Sequence, residues 1–310
     1  MRSLKQLSFV ALALAFAQIV FGAIVRITGS GMGCGDHWPK CAGAWFPPHD
    51  RIDLIIEISH RYLALALSIV VLALLIVATT RRRDPGVAGR RGVLRPAILA
   101  SVLVVTAALL GAVTVKLVLN PLVVVAHLTI AMSLLATLAV AFSRAGGFGA
   151  GSHSVPASRR SLRSTRAAVG LALVTLVFGA LTANLPDAAA SCTGFPWCRS
   201  ITAEGTALTV HIVHRIIAFL LLGHLLGIAI SARRRGESAQ LTRAAWLAFG
   251  AAALQVCIAA AMIEMGFTGV LRSVHQAMGT LVWLAIVVLA IIASHGGRAV
   301  SEPATMRAAA

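Results

Sequence analysis

Of the 310 residues, 58% are apolar and only 12% are charged, whereas soluble globular chains keep their apolar share near half. The net charge of +17, from 27 Lys and Arg against 10 Asp and Glu, does not mark a nucleic-acid binder, because the basic residues lie between apolar spans and not on a polar domain. Composition thus excludes a soluble enzyme and predicts an all-α integral membrane protein.

A membrane-crossing helix takes about 20 apolar residues, and eight runs qualify. In chain order they are roughly 8–28, 54–78, 93–115, 121–142, 167–185, 207–230, 244–263 and 270–294. The first resembles a secretory signal, with Arg2 and Lys5 ahead of it and a cleavage-like Ala15-Phe16-Ala17. Its apolar run continues to Val25 and a matching helix recurs later, so a retained span is expected. Basic residues in the N-terminal segment, the 79–92 loop with Arg95, the 143–166 loop, the 231–243 loop and the tail number 2, 6, 5, 4 and 2, or 19 of the 27. By the positive-inside rule these segments and both termini are cytoplasmic. The Gly29–Asp53 loop then lies outside.

The chain repeats itself. Phe21–Cys41 (FGAIVRITGSGMGCGDHWPKC) and Phe178–Cys198 (FGALTANLPDAAASCTGFPWC) align at an offset of 157 residues. EISHR at 57–61 and HIVHR at 211–215 follow at an offset of 154, and His127 and His275 at 148. The expected plan is two tandem four-helix bundles of like orientation, related by a pseudo-twofold axis along the membrane normal. Residues 1–142 form the first bundle and 167–296 the second. A flexible Gly/Ser/Arg-rich cytoplasmic linker, 143–166, joins them, and 297–310 is a cytoplasmic tail.

His60, His127, His214 and His275 each lie about five to seven residues inside the outer end of helices two, four, six and eight. At about 1.5 Å per residue they share one depth, roughly 8–10 Å down. A lone intramembrane histidine is commonly a hydrogen-bonded packing residue. Four at one level in repeat-related pairs point instead to a functional site, since ionisable groups in hydrocarbon are costly, and facing histidines on bundle helices are axial haem ligands. Arg61 and Arg215 follow two of these histidines, and Arg26 and Arg272 lie near the same level. They either snorkel to the interface or pair with haem propionates; their outer-side placement, against the charge bias, favours propionates. His37, His49, His153, His224 and His295 are expected to be structural or solvated. His211 sits one turn from His214, at the position Glu57 holds in the first half, and is left without a role.

Cys34 with Cys41 and Cys192 with Cys198 occupy outer loops, where disulfides persist. Zinc usually needs tighter spacing. One disulfide per half is expected, as a lid over the haem pocket, while Cys257 is expected to be a small buried apolar residue.

Taken together, RITGSGMGCGDHWPKC, EISHR, AHLTIAM, CTGFPWC, HIVHR and VHQAMG, in that order on eight spans, resemble the heme A synthase family of bacterial cell membranes, in its form with two cysteine pairs. The resemblance implies a heme b cofactor between His214 and His275 and the substrate heme O between His60 and His127. It further implies oxidation of a heme O methyl group to a formyl group, by successive hydroxylations and loss of water, to give heme A for terminal oxidases. Glu57 is the residue expected to be catalytic, because only the first half keeps a carboxylate one turn before its histidine. Membrane lipid, an electron donor of unknown identity and delivery of heme O by a heme O synthase are the partners implied; a homo-oligomer is left open. The rivals are a di-haem b-type cytochrome that only transfers electrons, a di-iron carboxylate bundle and a repeat-built transporter.

Overall fold

The computed structural model describes residues 1–295 except 36, 38, 39, 42, 47, 49 and 150–156. Its helices are α1 (Arg2–Ile27), α2 (Ile52–Thr80), α3 (Leu94–Lys116), α4 (Pro121–Arg144), α5 (Arg159–Asn184), α6 (Thr206–Arg234), α7 (Ala239–Glu264) and α8 (Gly269–His295). All eight are long and apolar enough to cross a bilayer, and the chain is a multi-pass membrane protein. A two-residue hairpin, β1 (Cys192–Thr193) with β2 (Ser200–Ile201), closes the second cysteine loop. His49, His153 and the 297–310 tail lie outside the described residues.

Within each half the helices close a ring: α1–α2–α3–α4 and back to α1, then α5–α6–α7–α8 and back to α5. The two rings meet through α1–α8, α4–α5 and α4–α8. In lipid there is no hydrophobic force to drive helices together, so close approach depends on small side chains and good packing. Buried Ala11 and Ala15 of α1 recur as Ala168 and Ala172 of α5, and Ala97 and Ala100 of α3 as Ala245 and Ala248 of α7. Larger buried residues repeat at the same offsets: Leu67, Val71 and Leu74 match Leu221, Leu225 and Ile228, while Leu135 and Leu138 match Trp283 and Ile286. Trp283 Nε1 donates to the Met132 carbonyl at 2.9 Å, tying α8 to α4. Leu65, Ile69, Leu72 and Ile76 of α2 are exposed, spaced to form the stripe that would face acyl chains.

The structure departs from the sequence reading at α5, which begins at Arg159, inside the expected linker. The cause is local. The Ser158 hydroxyl accepts from Ser161 N–H at 3.2 Å, and Glu237 accepts from the Ser158 amide at 3.2 Å and the Ser161 hydroxyl at 2.6 Å. A helix N-terminus with its free amides satisfied, and an acid at its positive end, extends beyond its apolar segment. Desolvation pushes the Glu237 carboxyl up, but the hydrogen bonds from Ser158 and Ser161 and the charge of Arg235 outweigh it and hold its pKa below the usual carboxylate value.

The sign follows from linkage: with its folded pKa depressed, Glu237 contributes stability above its unfolded pKa and loses it as pH falls through the folded value. Glu237→Gln should therefore cost about 1 kcal/mol at neutral pH and flatten the acid side of the stability profile. Thermal unfolding in detergent between neutral and mildly acid pH measures both.

Candidate haem sites

Each histidine stands at a matching register. His60 and His214 are the ninth residues of α2 and α6, and His127 and His275 the seventh of α4 and α8. These positions correspond to about 12 and 9 Å along the axis, all from the end that bears the cysteine loops. His60 and His127 are neighbours within the first half, and His214 and His275 line one cavity in the second. Glycine makes room for the rings. A Cβ on Gly22 of α1 would stand 2.9 Å from His60 Cε1, and one on its counterpart Gly179 of α5 would stand 2.8 Å from His214 Cε1. Gly111 of α3 gives His127 a looser berth of 3.5 Å.

Two glutamines that the sequence did not flag complete the surroundings. Gln18 Nε2 lies 3.2 Å from His60 Nε2 and donates to the His60 carbonyl at 3.2 Å. Gln255 Nε2 lies 3.1 Å from His275 Nδ1 and donates to the His275 carbonyl at 3.0 Å. His214 is held from the backbone, with Nδ1 3.1 Å from the Thr175 carbonyl. Gln18 and Gln255 have no repeat partners, being matched by Thr175 and Ala107, so no pattern betrayed them. Gly22 and Gly179 do repeat inside the FGA motif and were the signal available.

The residues fit a haem. Buried Nδ1 atoms of His60 and His127, and Oε1 atoms of Gln18 and Gln255, have no hydrogen-bond partner, a costly condition that a bound polar group would relieve. His214 and His275 both line one cavity whose wall is mostly apolar, with Ala172, Leu176, Ala252 and Val256 among its residues. Among the described residues no three His, Cys, Asp or Glu gather as a metal cluster. Two imidazoles on one apolar cavity, with no cluster of carboxylates beside them, suit a bis-histidine haem and disfavour the di-iron rival.

Arg61 and Arg215 act on the cysteine loops. Cys34–Cys41 and Cys192–Cys198 are both disulfides. Arg61 donates to the His37 and Lys40 carbonyls at 2.7 and 2.9 Å, and Arg215 to those of Cys192 and Gly194 at 2.8 Å each. Each arginine also meets the residue four positions earlier. Arg61 pairs with Glu57, whose other oxygen accepts from the Cys34 amide at 2.8 Å. Arg215 Nε donates to His211 Nε2 at 3.0 Å, while His211 Nδ1 lies 2.9 Å from the Ala188 carbonyl. The acceptor role of Nε2 makes Nδ1 the protonated nitrogen of a neutral ring. Glu57 and His211 are 3% and 4% exposed. They hold the same place in the two halves, but only one carries charge.

Arg26 and Arg272 are placed differently. Both, together with Arg215, line the cavity around His214 and His275, and the two lie within range of each other's charge. Arg26 belongs to α1 yet reaches the second half, donating from Nη1 to the Ala183 carbonyl at 3.0 Å. Phe195, from the second disulfide loop, also lines this cavity, and its amide donates to Glu264 Oε1 at 3.0 Å. On α4, Leu128 lines the second-half cavity while His127 interacts with His60, so adjacent residues of one helix serve two sites. His224 sits apart, with Nε2 3.0 Å from the Ser164 carbonyl. Cys257 is a correction: it is exposed on α7, because a small apolar thiol is as acceptable against lipid as within the bundle.

The cytochrome oxidase assembly protein family (COX15-CtaA) matches residues 5–287. A heme A synthase of Exiguobacterium sibiricum is 28% identical over 274 residues, covering 82% of this chain and 88% of the relative. One of Geobacillus kaustophilus is 50% identical over 78 residues, a stretch of 25% of this chain and 24% of that relative. A protoheme IX farnesyltransferase of Thermus thermophilus is 52% identical over 42 residues, 14% of this chain and 7% of that protein.

Adding a methyl group at Gly179 should displace the His214 ring. Overpacking costs about 1–3 kcal/mol, so Gly179→Ala should weaken haem retention roughly five- to 150-fold without loss of helical content. Haem-to-protein ratio and circular dichroism of the purified variant test it; a full complement of haem with an unchanged spectrum would refute it.

Proposed function

We propose that this chain, which belongs to the cytochrome oxidase assembly protein family, is a heme A synthase: a membrane oxidoreductase that oxidises a methyl group of heme O to the formyl group of heme A. The observation that carries this reading is the arrangement of four histidines as two sites of matching register, with a buried carboxylate beside only one of them.

In this reading the first bundle, 1–142, is catalytic, the 143–166 segment links, and the second bundle, 167–296, holds heme b between His214 and His275. Bound haem supplies the redox-active iron. His60 and His127 hold and orient heme O as substrate; Gly22 and Gln18 fix the His60 ring. Each hydroxylation replaces a C–H bond by C–OH, with an oxidant from outside the chain. The resulting gem-diol loses water to leave the formyl group, and that loss needs one proton delivered and another removed. Glu57, one turn from His60 on the same helical face, is the group suited to it. Arg61 and the Cys34 amide fix its two oxygens in place, so that it can act as base and return the proton as acid. The paired guanidinium groups of Arg26 and Arg272 bind the propionates of heme b. Arg61 and Arg215 chiefly fasten the disulfide loops, close enough to the sites to orient propionates as well.

The basic loops support cytoplasmic termini and haem sites near the extracytoplasmic side. The similarity to part of a protoheme IX farnesyltransferase supports delivery of heme O by a haem-farnesylating partner.

Two variants test the assignment. His275→Ala should leave the purified protein without heme b; full heme b with an unchanged low-spin spectrum would remove the axial role. Glu57→Gln keeps size but not the titratable proton. It should fold, keep heme b, form heme A about 10²–10⁴-fold more slowly and accumulate heme O or its alcohol, as haem extraction and mass analysis would show. Heme A made at the wild-type rate would leave Glu57 as scaffolding.

A further inference from the structure

The repeat places an asymmetry where Arg26 crosses between halves. Arg26 bonds the Ala183 carbonyl 157 residues away, and 157 is also the offset that maps α1 onto α5. Arg26 therefore touches its own counterpart, and that counterpart is alanine. Arg272, mapped back by the 148 residues that separate His275 from His127, falls on Val124. Of the three arginines that line the second-half cavity, Arg215 repeats as Arg61, whereas Arg26 and Arg272 repeat as the uncharged Ala183 on α5 and Val124 on α4. Two guanidinium groups of like charge, beside hydrocarbon and without a carboxylate ion pair among the described residues, are unfavourable together unless they share an anion. A tetrapyrrole with two carboxylates supplies one charge for each, in charge-assisted bonds about twice as strong as neutral ones. In the first half, Arg61 is already engaged by Glu57 and by loop carbonyls.

Resting on the two-haem reading above, we propose that the Arg26–Arg272 clamp decides which haem stays. It makes the dianionic haem between His214 and His275 a resident cofactor. The first half has Val124 where the second has Arg272, and the second bundle offers it only Ala183 as the counterpart of Arg26, which leaves the haem between His60 and His127 free to exchange, as a substrate must. The first bundle lends its arginine to the second and receives none in return.

The test is haem transfer, not turnover. Purified full-length protein carrying heme b is mixed with excess apomyoglobin, and the rate at which heme b moves to the acceptor is followed by its absorption spectrum. Arg26→Gln and Arg272→Gln should each release heme b at least tenfold faster than wild type, with the His-ligated spectrum of the remaining bound haem unchanged. Arg26→Lys, which keeps the charge, should restore slow release. Arg233→Gln, at the opposite end of α6, should release at the wild-type rate. Wild-type rates in both glutamine variants, or a lysine variant as fast as the glutamine one, would overturn the proposal. Failure of the two-haem reading looks different: His275→Ala would then leave the haem content of the protein unchanged.

Discussion

Inside hydrocarbon a polar side chain must find its partner within the protein, because water is not there to provide one. This constraint organises the molecule. The apolar helix surfaces tolerate almost any contact with lipid, as the exposed leucines and isoleucines of α2 show. What is specific is therefore concentrated where polar groups enter the bundle: His60 against Gln18 and Gly22, His275 against Gln255, His214 against the Thr175 carbonyl. Each such contact dictates how near two helices come and at what rotation. The bundles are thus built around their histidines as much as around the small residues that let the helices close.

The same constraint explains why one architecture appears twice with different charges. At the cysteine-loop end, an arginine one helical turn past a buried polar residue fastens a disulfide loop by its carbonyls. That device works with a neutral imidazole at the earlier position, as His211 demonstrates. A carboxylate at the same place in the first half is consequently not required for the architecture. An amide donor from Cys34 and the Arg61 guanidinium stabilise it, and a charge retained where a neutral group would suffice calls for a chemical reason.

Much of this was legible in the chain. The eight spans followed from length and apolarity. The disulfides followed from two short cysteine spacings in equivalent loops. Histidine register was legible because it repeats. The misses have physical causes. Arg159–Arg166 was read as linker because its composition is polar, but a capping serine and an acid from a distant loop keep it helical. Gln18 and Gln255 were invisible because a solitary amide on an apolar helix carries no periodic signal. Burial of Cys257 was misjudged because in a membrane protein apolar character no longer tells inside from outside. Nor does helix number tell which site an arginine serves: Arg26 belongs to α1 but lines the second-half cavity, where α1 packs on α8.

Helix α4 serves both sites: His127 interacts with His60, while the next residue, Leu128, lines the cavity of His214 and His275. Genetic dissection will meet this directly. Distant substitutions combine additively, but those sharing a packed element do not. Changes along α4 will not sort into a class that impairs one half and a class that impairs the other. Pairs of them, or an α4 change with one on α8, will deviate from the product of their separate effects, whereas pairs drawn from α2 and α6, which lie in separate rings, will multiply.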